Sequence, residues 1–478
     1  MVPESIQRSP HQEPAALSDP RSSKARLESL PTGLDPAPSG RLRELSGWGQ
    51  YPVVRGVERV SEDLREVTRD AILTRGLGRA YGDASLPPEA ASAHVAATPL
   101  ADRLLSFDPQ SGWLRAEAGL SLKSLNEIFL PRGWVSPVSP GTAFVTLGGM
   151  VASDVHAKNH HVAGCFGAHV RALQMRVADG RILEVREDNE PELFHATFGG
   201  MGLTGHVLEV EFRMVSVPSP WIWYESERVS SIDELLPRLV EAGRDWPSTV
   251  AWLDCTARGA ALGRGILMQG RWATRAEAPA GKLPRTPTFF VPTRLPSGLV
   301  NRYSLRAVNS FFYRKHTARR KTGLGTPEWW FHPLDKVAHW HRVFGARGFT
   351  QYQCVLPSDV QVCRDFLTRF QREGGSSFVS VLKDCGAAGK GPLSFPQPGA
   401  SLALDIPIQG EKTKQLVADL NEFVIRHGGR IYLAKDAFTS PEHFRAMYPR
   451  LAEWQAVRRR WDPEGRLASA QSRRLLSS

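Results

Sequence analysis

The sequence predicts an α+β protein of two domains behind an N-terminal tail. Three observations carry this. The chain has 478 residues, too many for one ordinary core. Its 35 prolines and 42 glycines break it into many turns and hence many short strands. Stretches with helical spacing are set among those strands. Hydrophobic residues at 41% and charged residues at 23% are the balance of a globular protein.

Residues 1–45 are rich in Pro, Ser and charge, lack periodicity and read as a disordered tail, with order beginning near Trp48. Residues 46–217 form the first domain. Asp70 to Thr74 is a short apolar strand that runs into a glycine loop. Leu104–Phe107 and Trp113–Ala118 flank Asp108-Pro109-Gln110-Ser111-Gly112, a hairpin by turn chemistry. Leu122, Leu125, Ile128 and Phe129 recur at helical spacing. Pro137 to Gly167 is a Gly/Pro-rich passage with the look of a cofactor-contacting loop. Val170–Glu184 reads as a hairpin around Asp179-Gly180, and Val207–Met214 alternates as a strand.

The character changes at Pro218-Ser219-Pro220, and a second domain is expected over 218–429. It holds helices near Ile232–Ala242 and Val360–Gln371, strands such as Ser401–Ile406, and an amphipathic helix Lys412–His427 stopped by Gly428-Gly429. Residues 430–478 start on Ile431-Tyr432-Leu433. They continue into a helix announced by Ser440 as N-cap and Pro441 at its first position.

No apolar run approaches the roughly 18–20 residues that span a bilayer. The opening MVPESIQRSPHQEP lacks the basic-then-apolar order of a secretory signal, so a cytoplasmic location is expected. Cys165, Cys255, Cys354, Cys363 and Cys385 form no CxxC pair and read as reduced, buried thiols. The net charge is +11, and from Lys282 to Pro327 there is no Asp or Glu. That stretch carries Lys282, Arg285, Arg294, Arg302, Arg306, Arg314, Lys315, Arg319, Arg320 and Lys321, interleaved with Phe289, Phe290, Phe311, Phe312 and Tyr313. Such a stretch suits a lipid phosphate or headgroup surface, single-stranded nucleic acid, or plain solvation as a basic loop.

Chemistry concentrates in three glycine-dense elements. The first is Arg75-Gly76-Leu77-Gly78-Arg79-Ala80-Tyr81-Gly82-Asp83. Glycines let a backbone turn tightly and bring its N–H groups to a phosphate, although an ordinary tight turn uses them too. The dinucleotide fingerprint G-x-G-x-x-G fails at its third glycine, and Pro87-Pro88 breaks any following helix, which argues against a nicotinamide-type Rossmann domain. The second element runs from Pro140-Gly141 through Thr146-Leu147-Gly148-Gly149 and Ser153-Asp154-Val155-His156 to Lys158, and on to Gly167. His156 and His160 stand four apart, but no H-E-x-x-H glutamate lies between them and the glycines disfavour a helix, so no metal is expected. The third is Phe198-Gly199-Gly200-Met201-Gly202-Leu203-Thr204-Gly205, for which a packing turn is the plain alternative.

Together with GGRIYLAKD and MYPRLAEWQAVRRRWDP near the end, these motifs resemble the vanillyl-alcohol-oxidase (PCMH-type) FAD flavoproteins over roughly residues 46–476. Within that family they resemble the decaprenylphosphoryl-ribose oxidase branch, whose product leads to a cell-wall arabinose donor. The resemblance implies a two-lobed PCMH-type FAD-binding domain covered by a substrate (cap) domain built on an antiparallel sheet with helices. Residues 75–83 would hold the FAD pyrophosphate. Gly141, Thr146–Gly149 and Ser153–His156 would line the other side of the flavin. Gly202, Gly205, His206 and Val207 would contact the adenosine half, and Tyr432 would return to the flavin. Relatives that bond FAD covalently use a first-loop histidine where Arg79 stands here, so noncovalent FAD is implied.

The resemblance places Lys435, His156 and Lys158 at the chemistry, and Gln351, Gln353, Lys383 and Lys435 in the substrate pocket. A lysine there suits a proton relay or a substrate phosphate. Ser401 and Ala403 depart from the Asn and Cys of the mycobacterial-type pattern. The implied reaction oxidises C2′ of a polyprenyl-phosphate pentose by hydride transfer to flavin N5. The keto-sugar would pass to a partner reductase, an NAD(P)-dependent short-chain enzyme. The implied setting is peripheral contact with an anionic membrane, without nucleic acid. The alternative is an alditol or aldonolactone oxidase that uses oxygen. A basic binding module without catalysis leaves the glycine loops and Lys435 without purpose.

Overall fold

The first ordered strand arrives earlier than the composition suggests: Arg41–Ser46 pairs antiparallel with Val53–Val60, where order was expected only near Trp48. The structure, a computed structural model, describes residues 40–89, 94–281, 283–284, 287–317 and 319–476. The expected tail up to residue 39, and Lys282 and Arg285 of the basic stretch, lie outside the described residues.

Two small sheets build the N-terminal half. One has the order Arg41–Ser46, Val53–Val60, His94–Ala97, Ala71–Arg75, in which the last three strands run parallel. The other is five-stranded and antiparallel, in the order Leu104–Phe107, Trp113–Glu117, His206–Arg213, Val170–Arg176, Ile182–Arg186. The helix Leu122–Phe129, whose N-cap Ser121 accepts from Ser124 N–H, shares the core with the apolar residues of this second sheet, and its Phe129 ring lies 4.8 Å from that of Phe107.

The remainder is organised by an eight-stranded antiparallel sheet. Its order is Arg320–Gly325, Ile222–Val229, Gly265–Trp272, Ser248–Leu253, Ser380–Cys385, Gly399–Pro407, Phe349–Leu356, Arg430–Ile431. Because side chains alternate across a strand, each central strand splits its residues between two faces. Leu253, Leu382, Leu402, Leu404 and Cys354 are buried in the core with the helices Ile232–Asp245, Val360–Arg372 and Glu411–Arg426. Trp252, Lys383, Ala403, Gln351 and Gln353, one residue out of step, line a cavity on the opposite face. The fold is α+β, with antiparallel sheets and helices mixed along the chain.

After Arg430–Ile431 the chain makes a one-turn helix, Leu433–Lys435, and then the helices Pro441–Met447, Leu451–Trp461 and Ala470–Leu476. These pack back on the N-terminal half: Ala468 N–H bonds Ile72 C=O, and the fully buried Trp454 donates to Ala196 C=O at 3.0 Å.

The basic stretch is not the expected loop throughout. Arg302–Lys315 is a fourteen-residue helix with Asn301 and Ser304 forming a reciprocal capping box, and Arg320–Gly325 is an edge strand. No described helix is long and apolar enough to cross a membrane.

Candidate active site

The strand Ala71–Arg75 delivers its C-terminal end to the first glycine loop, the end at which open parallel sheets place ligands. Gly76 leaves no space for a side chain, since a Cβ there would meet Thr146 Oγ1 at 2.4 Å, and Gly78 adopts φ +63°. Thr146 in turn caps the helix Leu147–Ala152 by accepting from Gly149 N–H at 3.3 Å. In the third glycine element, Gly202 and Gly205 also adopt positive φ. A Cβ at Gly141 would meet nothing within 4 Å, and one at Gly202 would meet only Leu73 at 4.0 Å. Both glycines border the same open space, a cavity of about 570 Å³.

Most of the residues singled out in the sequence line this cavity. Gly76 to Tyr81 do so on one side, with Gly141, Thr146, Gly148, Gly149, Ser153 and Val155 on the other. Gly202, Gly205, Val207 and Tyr432 extend the wall, and His156, Lys158, Gln351, Gln353, Lys383 and Lys435 complete it. Six others stand behind the lining. Arg75 spends its guanidinium on Ser46 C=O and Ser85, and Asp83 is clamped by Arg474. Gly82 packs against Asp436 C=O, and Leu147 is core. Asp154 accepts from Gly167 N–H at 2.9 Å and Ser394 Oγ at 2.5 Å, and His206 bonds Ala71 C=O at 3.1 Å.

The tryptophans of the wall were not anticipated: Trp48, Trp252, Trp330 and Trp340 come from four separate segments, and Phe312 of the basic-aromatic stretch joins them. Arg79 lies between Trp48 of this wall and Phe144 behind it, its guanidinium 4.0 Å from the Trp48 ring and 4.8 Å from that of Phe144.

The electrostatics follow from burial. Lys158 donates to Trp330 C=O and has its amine brought down to about 7 by burial and by nearby Lys383. Lys435 holds its Nζ 3.7 Å from the centre of the Tyr81 ring, and burial lowers it to about 7 against the opposing pull of Asp405. Lys383 is lowered by burial too. His156 stays neutral, pushed well below the usual histidine range by burial and by Lys383, His160 and Lys435. Its Nε2 accepts from the Gln353 amide at 3.0 Å, which leaves Nδ1 with the proton and without a protein partner. Asp405, behind Gln351, is raised to about 7 by burial; it accepts from Gln351 Nε2 at 2.6 Å, and its second oxygen has no partner. Amines that are half neutral near pH 7 inside a cleft can exchange a proton with a bound hydroxyl or hold an anion.

A family model described as an FAD binding domain matches residues 54–186, which contain the first two glycine elements. The chain is 35% identical to the decaprenylphosphoryl-β-D-ribose oxidase of Mycolicibacterium smegmatis over 91% of its own length and 97% of that protein's. The chain belongs to the decaprenylphosphoryl-ribose oxidase family of FAD-binding flavoproteins. It is also 34% identical to an uncharacterised Streptomyces coelicolor protein over 74% of its length and all of that protein's. Against the L-gulonolactone oxidase of Scyliorhinus torazame it is 30% identical over 24% of this chain and 26% of that one. A second model, described as D-arabinono-1,4-lactone oxidase, matches residues 406–475.

This family member is therefore an FAD-dependent oxidoreductase, and the cavity fits its cofactor. The bare backbone of Gly141 and Gly202, the tight approach at Gly76 and the unpartnered Arg79 Nε form a cradle that side chains would fill. Bound FAD supplies a two-electron acceptor for hydride from a substrate carbon.

Proposed function

We propose that this enzyme oxidises C2′ of a polyprenyl-phosphate pentose of the decaprenylphosphoryl-ribose type, giving a 2-keto sugar. The observation that carries the reading is the convergence of Lys158, Lys383, Lys435 and His156 in one aromatic-walled cavity beside the glycine cradle. Gly76–Tyr81, Gly141, Thr146, Gly148, Gly149, Gly202, Gly205 and Val207 hold the cofactor noncovalently. Lys435, neutral above about pH 7, accepts the hydroxyl proton as the carbon loses its hydride. His156, fixed by Gln353, offers Nδ1–H to a sugar oxygen. Lys158 and Lys383 present positive charge to the phosphate, while Gln351 and Gln353 set the sugar's orientation. The relative from M. smegmatis is named for this class of substrate.

A 2-keto sugar needs a separate reduction to yield an epimer, so we propose an NAD(P)-dependent reductase as the functional partner. Contact with an anionic membrane surface would bring a lipid-linked substrate within reach. Incubating the holoenzyme with polyprenyl-phosphate ribose, trapping with borodeuteride and locating the deuterium tests the assignment: label at C2′ supports it, and label elsewhere or nowhere rejects it. The match of residues 406–475 to the D-arabinono-1,4-lactone oxidase model favours a second reading, an alditol or aldonolactone oxidase that uses oxygen.

A further inference from the structure

The helix Arg302–Lys315 carries its apolar residues on two faces. The inner face is accounted for. Leu305 is buried, Asn309 donates to Asp254 at 3.2 Å and to Ser377 C=O at 3.0 Å, and Tyr313 bonds Val229 C=O at 3.3 Å. The outer face is not: Tyr303 is 69% exposed, Phe311 68% and Val308 45%. Leu299, Phe289 and Phe290, just upstream, are exposed as well. Single exposed hydrophobics are ordinary, but a clustered run of aromatic rings is a contact surface.

Charge identifies what it contacts. Arg302, Arg306, Arg314 and Lys315 lie on the same helix and have no carboxylate partner among the described residues, whereas Arg319 and Arg320 are paired with Glu227 and Glu225. With no acid between Lys282 and Pro327, the surface is cationic around an apolar stripe. That is the chemistry of a helix lying in an anionic lipid interface. The same helix reaches the active site through Phe312, which lines the cavity and contacts Trp252, also in its lining, with ring centroids 4.7 Å apart.

We infer that the helix Arg302–Lys315 seats the enzyme on an anionic membrane, and that a lipid chain passes between bilayer and cavity beside Phe312. The docking is independent of the substrate assignment; the passage of a lipid chain rests on it. The helix is continuous, capped by its own box, and held to the sheet by Asn309 and Tyr313, so its outer residues are replaceable without loss of the fold.

The experiment compares wild type, Val308→Asp/Phe311→Asp and Arg302→Gln/Arg306→Gln/Arg314→Gln/Lys315→Gln, each purified with its flavin and checked for an unchanged flavin spectrum. Co-sedimentation uses phosphatidylglycerol/phosphatidylcholine vesicles, phosphatidylcholine vesicles and a single-stranded oligonucleotide. Wild type is expected to bind the anionic vesicles alone, with both variants at least roughly tenfold weaker. Anaerobic flavin reduction is then measured with vesicle-borne polyprenyl-phosphate ribose and with a soluble short-chain analogue. The aspartate variant should lose efficiency on the vesicle-borne substrate through KM, and keep the wild-type rate on the soluble one. Equal vesicle binding by all three proteins, or binding of the oligonucleotide in preference to vesicles, overturns the docking. Equal KM on the vesicle-borne substrate overturns the passage. Failure of wild type on both substrates rejects the substrate assignment and leaves the sedimentation result to decide the docking.

Discussion

Arg474 grips Asp83 with two hydrogen bonds, Nε to Oδ2 at 2.9 Å and a terminal nitrogen to Oδ1 at 2.7 Å, joining the last helix to the end of the first glycine loop. The same guanidinium reaches Asp436, the neighbour of Lys435, at 2.9 Å. Two further bonds close the junction: Tyr81 N–H donates to Ala434 C=O at 2.9 Å, and the Gln471 side-chain amide donates to Leu433 C=O at 2.8 Å. The loop proposed to hold the cofactor and the turn that carries Lys435 are thus positioned by one residue near the C-terminus. Arg474→Ala leaves two buried carboxylates unmatched and should cost about 3–5 kcal/mol in urea unfolding of the holoprotein, with flavin lost more readily on dilution. Arg474→Lys, which keeps the charge without the fork, should fall between. An unchanged unfolding midpoint for the alanine variant would show the clamp to be dispensable.

Noncovalent attachment predicts that acid or heat denaturation frees the flavin. In the first glycine loop no histidine lies between Arg75 and Asp83 to bond a flavin. Flavin fluorescence should appear in the supernatant. Fluorescence that migrates with the polypeptide on a denaturing gel contradicts the prediction.

Lys435 should set the acid limb of the reaction. Its amine is lowered to about 7, chiefly by burial, so it is protonated and unable to accept a proton below that pH and competent above it. The rate constant for flavin reduction is expected to rise through about pH 7 and level off. Lys435→Ala should lose that limb and slow reduction by a factor on the order of 10²–10⁴, with the flavin spectrum nearly intact. Reduction at the wild-type rate removes Lys435 from the chemistry.

Asp405 is one of the groups that tune Lys435; burial is the larger effect, Asp405 raises the amine's proton affinity and Lys383 opposes it. Replacing the carboxylate with Asp405→Asn keeps an acceptor for Gln351 but removes the negative charge. The acid limb should then move to lower pH, because the ammonium has lost its counter-charge, while Asp405→Glu restores it. A fall in rate with the limb unmoved would mean that Asp405 matters only for packing.

What the sequence disclosed depended on where each segment's apolar residues point. The helix at Leu122–Phe129 and the cap Ser440 with Pro441 were legible because their periodicity and capping residues agree with the burial that forms them. The helix Arg302–Lys315 read as a basic loop because Tyr303, Val308 and Phe311 face outward, which spoils a single core-facing stripe. The glycine cradle was visible as motif, since each loop is local in the chain. The tryptophans of the wall were not: Trp48, Trp252 and Trp340 meet only when the eight-stranded sheet closes over the cradle. Asp154 and His206 sit inside motifs yet point away from the cavity, a distinction that spacing alone does not carry.

The most direct test is anaerobic stopped-flow bleaching of the flavin band with polyprenyl-phosphate ribose, run beside free alditols and aldonolactones. Rapid bleaching by the lipid-linked pentose is expected, with none on the same timescale by the free sugars. Bleaching by an alditol or aldonolactone, with the lipid-linked pentose inert, would contradict the proposed substrate and establish the second reading.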